Sequence, residues 1–126
     1  MANEYTASVT FRFVKSLVSV SATPRTQKTV SGSLGADVTQ SIGTSYEALV
    51  FGDIGTNPGV FMLQNLDVTN YVEISSDGGS TYCMRLAPGS TSVGGGLALV
   101  PNNSLTTWGA RANTGACLVS VRAVAP

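Results

Sequence analysis

Alternating apolar and polar residues predict β-strands from the first residues of the chain onward. Apolar side chains occupy every second position from Tyr5 to Phe13, and the residues between them are polar, as in a half-buried strand. The apolar positions then move from odd to even numbers between Val18 and Ala22. Such a shift predicts a bulge, a bend or a change of sheet near Val14 to Leu17.

The next stretch, Thr26 to Ile42, alternates only weakly and is rich in Gly and Ser. This composition favours an exposed hairpin or an edge strand over a core element. Because the stretch carries little charge, a neighbouring subunit is one candidate to cover its edge. A short, twisted edge in a monomer is equally compatible with the pattern.

The central stretch from Val60 to Pro88 predicts a compact meander of three strands. Its strand-like runs are Val60–Leu66, Tyr71–Ser75 and Thr81–Leu86, and the two turns between them are rich in Asp, Asn, Ser and Gly. The run Val-Phe-Met-Leu at its start predicts a strand that is buried on both faces.

Four more segments predict strands: Tyr46–Phe51, Leu97–Val100, Leu105–Ala110 and Ala116–Val124. A mobile loop is expected at Gly89 to Gly96, and no segment supports a helix of three turns. Eight or nine short strands with frequent turns predict an all-β fold, a single-domain β-sandwich of jelly-roll or Greek-key type over residues 1–126. Within it, residues 1–42 would supply N-terminal strands and an assembly arm, and residues 43–126 the core meander and C-terminal strands.

Composition excludes several classes of partner. Charged residues make up 11% of the chain, seven basic and seven acidic, and the basic residues are scattered, so a nucleic-acid grip is not expected. Apolar runs are strand-length, so no membrane span is expected either. Since the start lacks a basic region followed by an apolar run, synthesis in a cytoplasm is expected. Low charge with 43% hydrophobic residues favours a surface covered by other copies or a larger assembly, although a Ser- and Thr-rich monomer also fits.

Residues for catalysis or metal binding are few. The chain has no histidine, and the two cysteines, Cys83 and Cys117, are expected to be reduced, buried thiols. Folding would have to bring carboxylates together for acid–base chemistry, and Asp67 and Asp77 lie in turn contexts where aspartate bonds nearby backbone. The Ser75–Gly79 turn has a single carboxylate, too few for a calcium site. No catalytic residue, metal or cofactor is therefore expected.

Aromatic and basic side chains leave two further roles open. Trp108, with Tyr71 and Tyr82, would suit a platform for stacking a sugar, but a core or interface role for the tryptophan is the more common use of such a residue. Arg85 and Arg122 lie on predicted strands, where cross-strand or intersubunit pairing is favoured over ligand capture.

The segment Phe61 to Ile74, FMLQNLDVTNYVEI, resembles a group of small structural proteins of tailed bacteriophages. In these proteins a strand, Asn-Leu-Asp-x-Thr-Asn-Tyr/Phe-Val and a second strand recur, and Glu47–Ile54, Arg85–Gly89 and Ala112–Val119 also fit. We expect Asn65, Asp67, Thr69 and Asn70 to bond the turn internally, with Asn65 and Asn70 tolerating left-handed backbone. Leu66, Tyr71 and Val72 would anchor the flanking strands in the core.

The resemblance implies a non-enzymatic virion protein: a capsid decoration (cement) subunit, or else a tail or fibre component that contacts the host. A carbohydrate-binding module is the alternative outside virions. The expected partners are further copies of the chain, for example in a trimer, and the major capsid protein or other virion subunits. The residues predicted to make assembly contacts are Tyr5, Phe11, Phe13, Val30, Arg85 and Arg122.

Overall fold

A computed structural model describes residues 5–28, 30, 32–102 and 105–126. The chain divides into two compact units, residues 1–31 and residues 32–126. The division falls before the strand that ends at Ile42, so that strand belongs to the second unit and not to the predicted arm of residues 1–42. Where that strand begins and ends is decided by its pairing with the last strand of the chain.

The first unit contains one long antiparallel hairpin, Tyr5–Lys28, which we call the N-terminal ribbon. It consists of β1 (Tyr5–Ser8), β2 (Phe11–Lys15), β3 (Val18–Ala22) and β4 (Arg25–Lys28). Strand β1 pairs with β4 and β2 with β3. On each side of the hairpin, two residues separate the two paired segments, so both pairings share one register. Across this unpaired gap the backbone N–H of Val9 donates to the carbonyl of Pro24 at 3.0 Å.

The shift in the apolar pattern marks the turn of this hairpin. Lys15 pairs with Val18, which leaves Ser16 and Leu17 as a two-residue connection, and Ser16 has a φ of 52°. Phe13 lies opposite Val20, so the odd positions of β2 and the even positions of β3 share one face. The prediction of a bulge, bend or change of sheet was therefore wrong, because a hairpin turn changes the parity of the pattern in the same way.

The second unit, residues 32–126, contains two four-stranded antiparallel sheets, and we call it the sandwich. One sheet has the order β10-β7-β12-β5 and the other the order β6-β11-β8-β9. The strands are β5 (Gly35–Ile42), β6 (Glu47–Ala48), β7 (Val60–Asn65), β8 (Val72–Ser75), β9 (Met84–Leu86), β10 (Leu97–Pro101), β11 (Gly109–Ala112) and β12 (Cys117–Val124).

The winding of these eight strands is that of a jelly roll. Each successive strand crosses to the other sheet, except that β8 and β9 are neighbours in one sheet. The all-β sandwich prediction is confirmed. The described part of the chain has twelve strands instead of eight or nine, since the ribbon contributes four short ones.

Several predicted strands are shorter than expected because their backbone groups bond elsewhere. In the predicted strand Tyr46–Phe51 only Glu47 and Ala48 pair as β6, and Gly52–Ile54 forms a 3₁₀ turn. Strand β11 begins at Gly109 instead of Leu105, because the carbonyl of Thr107 accepts from Gly78 N–H in the loop after β8. Strand β5 is an edge strand, as predicted, although it is eight residues long.

The core lies between the two sheets. Large apolar residues of both sheets are buried there, and an aromatic cluster packs at one end, where the ring of Phe61 lies 5.1 Å from the ring of Phe51 and 5.1 Å edge-on from that of Trp108. In β7 Phe61 and Leu63 are buried, but Met62 on the other face is only half-buried, so the strand is not buried on both faces as predicted. Within the described ranges, no helix is long and apolar enough to span a membrane.

Candidate functional site

The predicted turn at Asn65 to Asn70 is held together by side-chain hydrogen bonds. The Asp67 carboxylate accepts from the backbone N–H groups of Thr69 at 2.9 Å and Asn70 at 2.6 Å, and these bonds lower the pKa of Asp67, the bond from Asn70 most strongly. Asn70 in turn accepts from the Thr114 hydroxyl at 2.7 Å. The internal bonding of this turn is therefore as expected.

Asn65 has a wider role than the sequence indicated. Its side chain is fully buried, and its amide nitrogen donates to the carbonyls of Asn70 at 2.9 Å and Leu86 at 3.0 Å, while its amide oxygen accepts from the N–H of Asp67 at 2.9 Å. Among described residues other than glycine, Ser16 alone has a positive φ, so the left-handed backbone expected at Asn65 and Asn70 is absent. The asparagine acts through its amide and not through its backbone.

The expected anchors of this motif are only partly correct. Val72 is fully buried, as predicted, but Leu66 is exposed and Tyr71 is half-buried. The backbone of Leu66 pairs with that of Leu118, which turns the leucine side chain out of the core at the end of β7. The motif therefore connects loops through polar groups more than through apolar packing.

The predicted mobile loop at Gly89 to Gly96 bonds to the same turn. Gly89 N–H donates to the carbonyl of Asp67 and Gly95 N–H to that of Asn65, each at 2.8 Å. Within the loop, Ser90 N–H donates to the carbonyl of Val93 at 2.8 Å. These backbone bonds join the loop to the sandwich at both of its ends.

The second aspartate predicted to bond backbone, Asp77, caps the turn between β8 and β9. Its carboxylate accepts from the Thr81 hydroxyl at 2.5 Å, the Thr81 N–H at 2.9 Å and the Ser75 hydroxyl at 2.8 Å. These bonds, with the Thr81 hydroxyl first, lower the pKa of Asp77 to about 2. Both turn aspartates thus bond groups within their own turns.

Trp108 is a core residue. Its indole is 7% exposed, packs against Phe61 and donates through Nε1 to the side-chain oxygen of Asn102 at 3.0 Å. Burial on this scale removes both faces of the indole from contact with a ligand, so the structure contradicts the sugar-stacking alternative for this residue and agrees with the core role.

A row of charged and aromatic side chains crosses β9, β8 and β11. Arg85 and Arg111 lie on either side of Glu73 in register, with N–O distances of 3.6 Å and 3.2 Å to its carboxylate. Arg85 also covers the ring of Tyr71 at 4.0 Å, and Arg111 covers that of Tyr82 at 3.8 Å. Each arginine therefore covers one face of a tyrosine ring, a face on which a sugar ring would otherwise stack.

A shallow pocket of about 310 Å³ lies beside this row, lined by Thr44, Tyr71, Glu73, Arg111, Ala112, Asn113 and Thr114. Its floor is already bonded internally, since Asn113 accepts from Tyr71 N–H and Arg111 is paired with Glu73. No group of three or more metal-ligating side chains occurs in the ranges that the structure describes. The arrangement offers charged side chains to a partner.

Arg122, the other predicted contact arginine, forms a cross-strand pair. Its Nε lies 3.3 Å from Asp37 on β5, directly opposite in the register, and both side chains are exposed. Arg85 is likewise paired across strands, with Glu73. The cross-strand option is thus the observed one for both arginines within a single chain.

The thiols differ in environment. Cys117 is buried, as predicted, and its pKa is raised by burial and by the nearby Asp67 carboxylate. Cys83 is exposed, which contradicts the expectation of a buried thiol. It precedes the short edge strand β9, whose free side leaves the flanking residues open to solvent.

Among the residues predicted to make assembly contacts, the most exposed apolar side chains are two phenylalanines of the N-terminal ribbon. Phe11 is 59% exposed and Phe13 is 47% exposed, while Tyr5 and Val30 are half-buried. The face of Phe11 and Phe13 continues across the hairpin with Val18 and Val20, both also exposed. These two valines were not predicted as contacts, although the even-numbered apolar positions after Leu17 would have identified them.

The chain matches no protein-family model, no curated protein and no solved structure. The resemblance to structural proteins of tailed phages thus stays a prediction made from the motif residues.

Proposed function

We propose that this chain is a non-enzymatic structural subunit of a bacteriophage particle, and specifically a capsid decoration protein that works through protein–protein contacts of its N-terminal ribbon. The observation that carries the proposal is the exposed apolar face formed by Phe11, Phe13, Val18 and Val20. A two-stranded ribbon has no second layer of its own, and such ribbons are at best marginally stable in water. A partner surface would supply the missing layer.

The opposite face of the same ribbon is mostly polar, as is usual for a surface that faces solvent. It carries Arg12 and Val14 on β2, opposite Ser21 and Ser19 on β3. One face is therefore almost entirely apolar at its centre and the other mostly polar. This asymmetry is typical of a strand pair that packs against something on one side only.

The mechanism would be mechanical. Each large apolar side chain that becomes buried against a shell contributes about 1.5–3 kcal/mol, so a few such residues suffice for a stable contact. A shell whose subunits are connected by such contacts is harder to dissociate, because separating them would expose this surface again. The motif resemblance supports the virion setting, and the jelly roll supplies a rigid body for it.

The test is co-sedimentation of the purified full chain with emptied capsid shells of the phage that encodes it. We expect binding to saturate at a fixed ratio to the coat subunit. Phe13→Ser should weaken binding about tenfold, as expected for losing about 1.4 kcal/mol of burial. Val14→Ser is the matched control, because Val14 is the neighbouring residue, is 58% exposed and lies on the other face.

Binding that is equally weakened by both substitutions, or by neither, would contradict a role for the apolar face. Binding to isolated tails and not to shells would replace decoration by a tail or fibre role. Turnover of a substrate by the purified chain would contradict the non-enzymatic part of the proposal.

A further inference from the structure

The shallow pocket beside Glu73 contains more hydrogen-bonding groups than the protein itself uses. Its lining consists of Thr44, Tyr71, Glu73, Arg111, Ala112, Asn113 and Thr114. All of these residues except Ala112 have a polar or charged side chain. A hydrophobic ligand would find little apolar surface here, so the pocket suits a ligand that is itself charged or rich in hydroxyl groups.

The guanidinium of Arg111 is held in place without its terminal nitrogens. Its Nε donates to Glu73 Oε1 at 3.2 Å, and its Cζ lies 3.8 Å from the centre of the Tyr82 ring. The two Nη groups donate to no described residue, so part of the planar fork that arginine offers to a carboxylate stays available. Because the side chain is already fixed, it loses little conformational freedom when an anion binds.

Asn113 is fixed in a similar way. Its side-chain oxygen accepts from Tyr71 N–H at 3.1 Å, which orients the amide and leaves the NH₂ group without an acceptor among the described residues. The hydroxyls of Thr44 and Tyr71 also make no hydrogen bond to any residue that the structure describes. The pocket therefore combines a cationic donor with several neutral ones.

Glu73 supplies an acceptor beside these donors. Its Oε1 accepts the bond from Arg111, whereas its Oε2 lies 3.6 Å from Nη2 of Arg85, too far for a hydrogen bond. Oε2 thus has lone pairs left for a hydroxyl group. Two arginines and one glutamate give this row a net charge of +1, which matches one carboxylate better than a doubly charged phosphate.

We propose that this pocket binds one acidic sugar residue, with the sugar carboxylate on Arg111 and Asn113 and a sugar hydroxyl on Glu73. The volume of about 310 Å³ is at the small end of the range of ~300–1,000 Å³ for ligand pockets, which suits one sugar residue and not a longer chain. An acidic side chain of a protein would use the arginine and the amide but leave the hydroxyls and Glu73 unmatched.

The inference goes beyond the proposed function and does not involve the N-terminal ribbon. It requires no stacking of the sugar on an aromatic ring, so the burial of Trp108 does not oppose it. Recognition would depend on hydrogen bonds and charge alone.

The test is titration of the isotope-labelled full chain at low salt, followed by two-dimensional NMR. The acidic sugars are glucuronate, galacturonate and N-acetylneuraminate, and the reference compounds are glucose, galactose, acetate and inorganic phosphate. We expect at least one acidic sugar to saturate with a Kd of about 1 mM, as for other ligands this small, and to shift the signals of residues 71, 73 and 111–114. Each reference compound should bind at least tenfold more weakly, because it lacks either the carboxylate or the sugar hydroxyls.

Asn113→Asp is the decisive variant. Aspartate keeps the oxygen that accepts from Tyr71 N–H but replaces the NH₂ donor by a charged oxygen, which should weaken binding of the acidic sugar at least tenfold. Asn57→Asp is the matched control, because it adds the same charge, keeps the oxygen that accepts from Asn102 and lies outside the pocket lining. It should bind like the wild type. Arg111→Lys keeps the charge but removes the fork, and it should weaken binding severalfold even if Asn113→Asp fails to fold.

Absence of saturable binding by all three acidic sugars would overturn the inference. Acetate or phosphate that binds as tightly as the acidic sugar would overturn it too, because the pocket would then hold an adventitious ion only. Equal binding by Asn113→Asp and Asn57→Asp would exclude the assigned carboxylate position. Shell binding through Phe13 involves none of these residues, so failure of this inference is distinguishable from failure of the proposed function.

Discussion

The buried side-chain amide of Asn65 donates a hydrogen bond of 2.9 Å to the backbone carbonyl of Asn70. The same nitrogen reaches the carbonyl of Leu86 at 3.0 Å, and the backbone carbonyl of Asn65 accepts from Gly95 N–H at 2.8 Å. One residue therefore joins the loop between β7 and β8 to both ends of the loop between β9 and β10. Buried carbonyls need partners, so this amide satisfies groups that a side chain without donors would leave unpaired.

We predict that Asn65→Ala destabilises the sandwich by about 3 kcal/mol, because the carbonyl of Leu86 in a buried bond and that of Asn70 in a partly buried one lose their donor, at about 1–3 kcal/mol each. The measurement is urea unfolding followed by tryptophan fluorescence. Gln64→Ala is the control, since Gln64 lies next to it on the outer face of β7 and is only half-buried. A loss for Asn65→Ala no larger than for Gln64→Ala would contradict the role of the amide.

Stability should fall in acid because of Asp67 and Asp77. The folded-state pKa of each carboxylate is lowered, that of Asp77 to about 2, against about 3.9 in an unfolded chain. Their stabilising contribution is therefore fully present above pH 4 and is lost as pH falls toward 2. The urea midpoint measured from pH 7 to pH 2 should decline in that window.

Asp77→Asn should lower the midpoint at neutral pH and flatten the decline below pH 4, since one of the two titrating groups is gone. Asp53→Asn is the control, because this exposed carboxylate accepts no hydrogen bond within the described residues. An unchanged acid slope in Asp77→Asn would show that other groups govern the acid response.

The ring of Tyr46 leaves no room for a side chain at Gly109. A Cβ at Gly109 would overlap the Tyr46 ring, and one at Gly79 would lie 2.9 Å from it. We predict that Gly109→Ala destabilises the sandwich by about 1–3 kcal/mol, as overpacking does. In a double-mutant cycle with Tyr46→Ala, which removes the ring, most of this penalty should disappear. Full additivity would contradict a clash with the ring.

The two thiols should react at different rates. Cys83 is exposed, whereas Cys117 is buried and has a raised pKa, which lowers its thiolate fraction. We predict that a disulfide reagent at pH 8 modifies one thiol per native chain, and that the second reacts only on unfolding. Cys83→Ser should abolish the fast reaction, and a fast reaction that persists in this variant would contradict the assignment.

The hairpin turn of the ribbon stores strain at Ser16, whose φ of 52° costs a residue with a side chain about 1–2 kcal/mol relative to the usual region. Ser16→Gly should therefore slow amide hydrogen exchange in β2 and β3, about fivefold for each 1 kcal/mol gained. Leu17→Gly is the matched control. It should speed exchange instead, since Leu17 has no such strain to relieve and glycine adds only flexibility.

Local patterns predicted much of this structure. Strand-like runs between turn residues identified the strands around Phe61, Val72 and Val119, and the turn residues Asp67 and Asp77 were expected to bond nearby backbone, as they do. Both results depend on groups within a few residues of one another. Groups so near in the sequence lie close together in space however the rest of the chain folds.

Such local patterns do not predict contacts between strands that are far apart in the sequence. Arg85, Glu73 and Arg111 come together only because β8 pairs with both β9 and β11 in a particular register. The reach of Asn65 to Leu86 likewise depends on how the loops close. The change of the apolar positions from odd to even numbers near Ser16 was visible in the sequence. Its cause was ambiguous, because a bulge and a two-residue hairpin turn both produce this change.

The unequal charge of the two units, positive for residues 1–31 and negative for residues 32–126, was also present in the sequence. It does not show when the basic residues are considered alone. Arg12 to Lys28 and Arg85 to Arg122 look scattered until the acidic residues between them are considered. The division acquired meaning only when the structure separated residues 1–31 from the rest. A neutral composition therefore says little about the surface that each part presents.

Pro24 lies opposite Val9 in the gap between the two paired segments of the ribbon, and its carbonyl accepts from the Val9 N–H at 3.0 Å. In an antiparallel pair the N–H and C=O of one residue point to the same neighbour, so the nitrogen of Pro24 also points toward Val9. Proline has no N–H, and the ladder therefore loses one of its two bonds at this pair. One imino acid thus makes the middle of the ribbon its weakest point, where the outer hairpin of β2 and β3 joins β1 and β4.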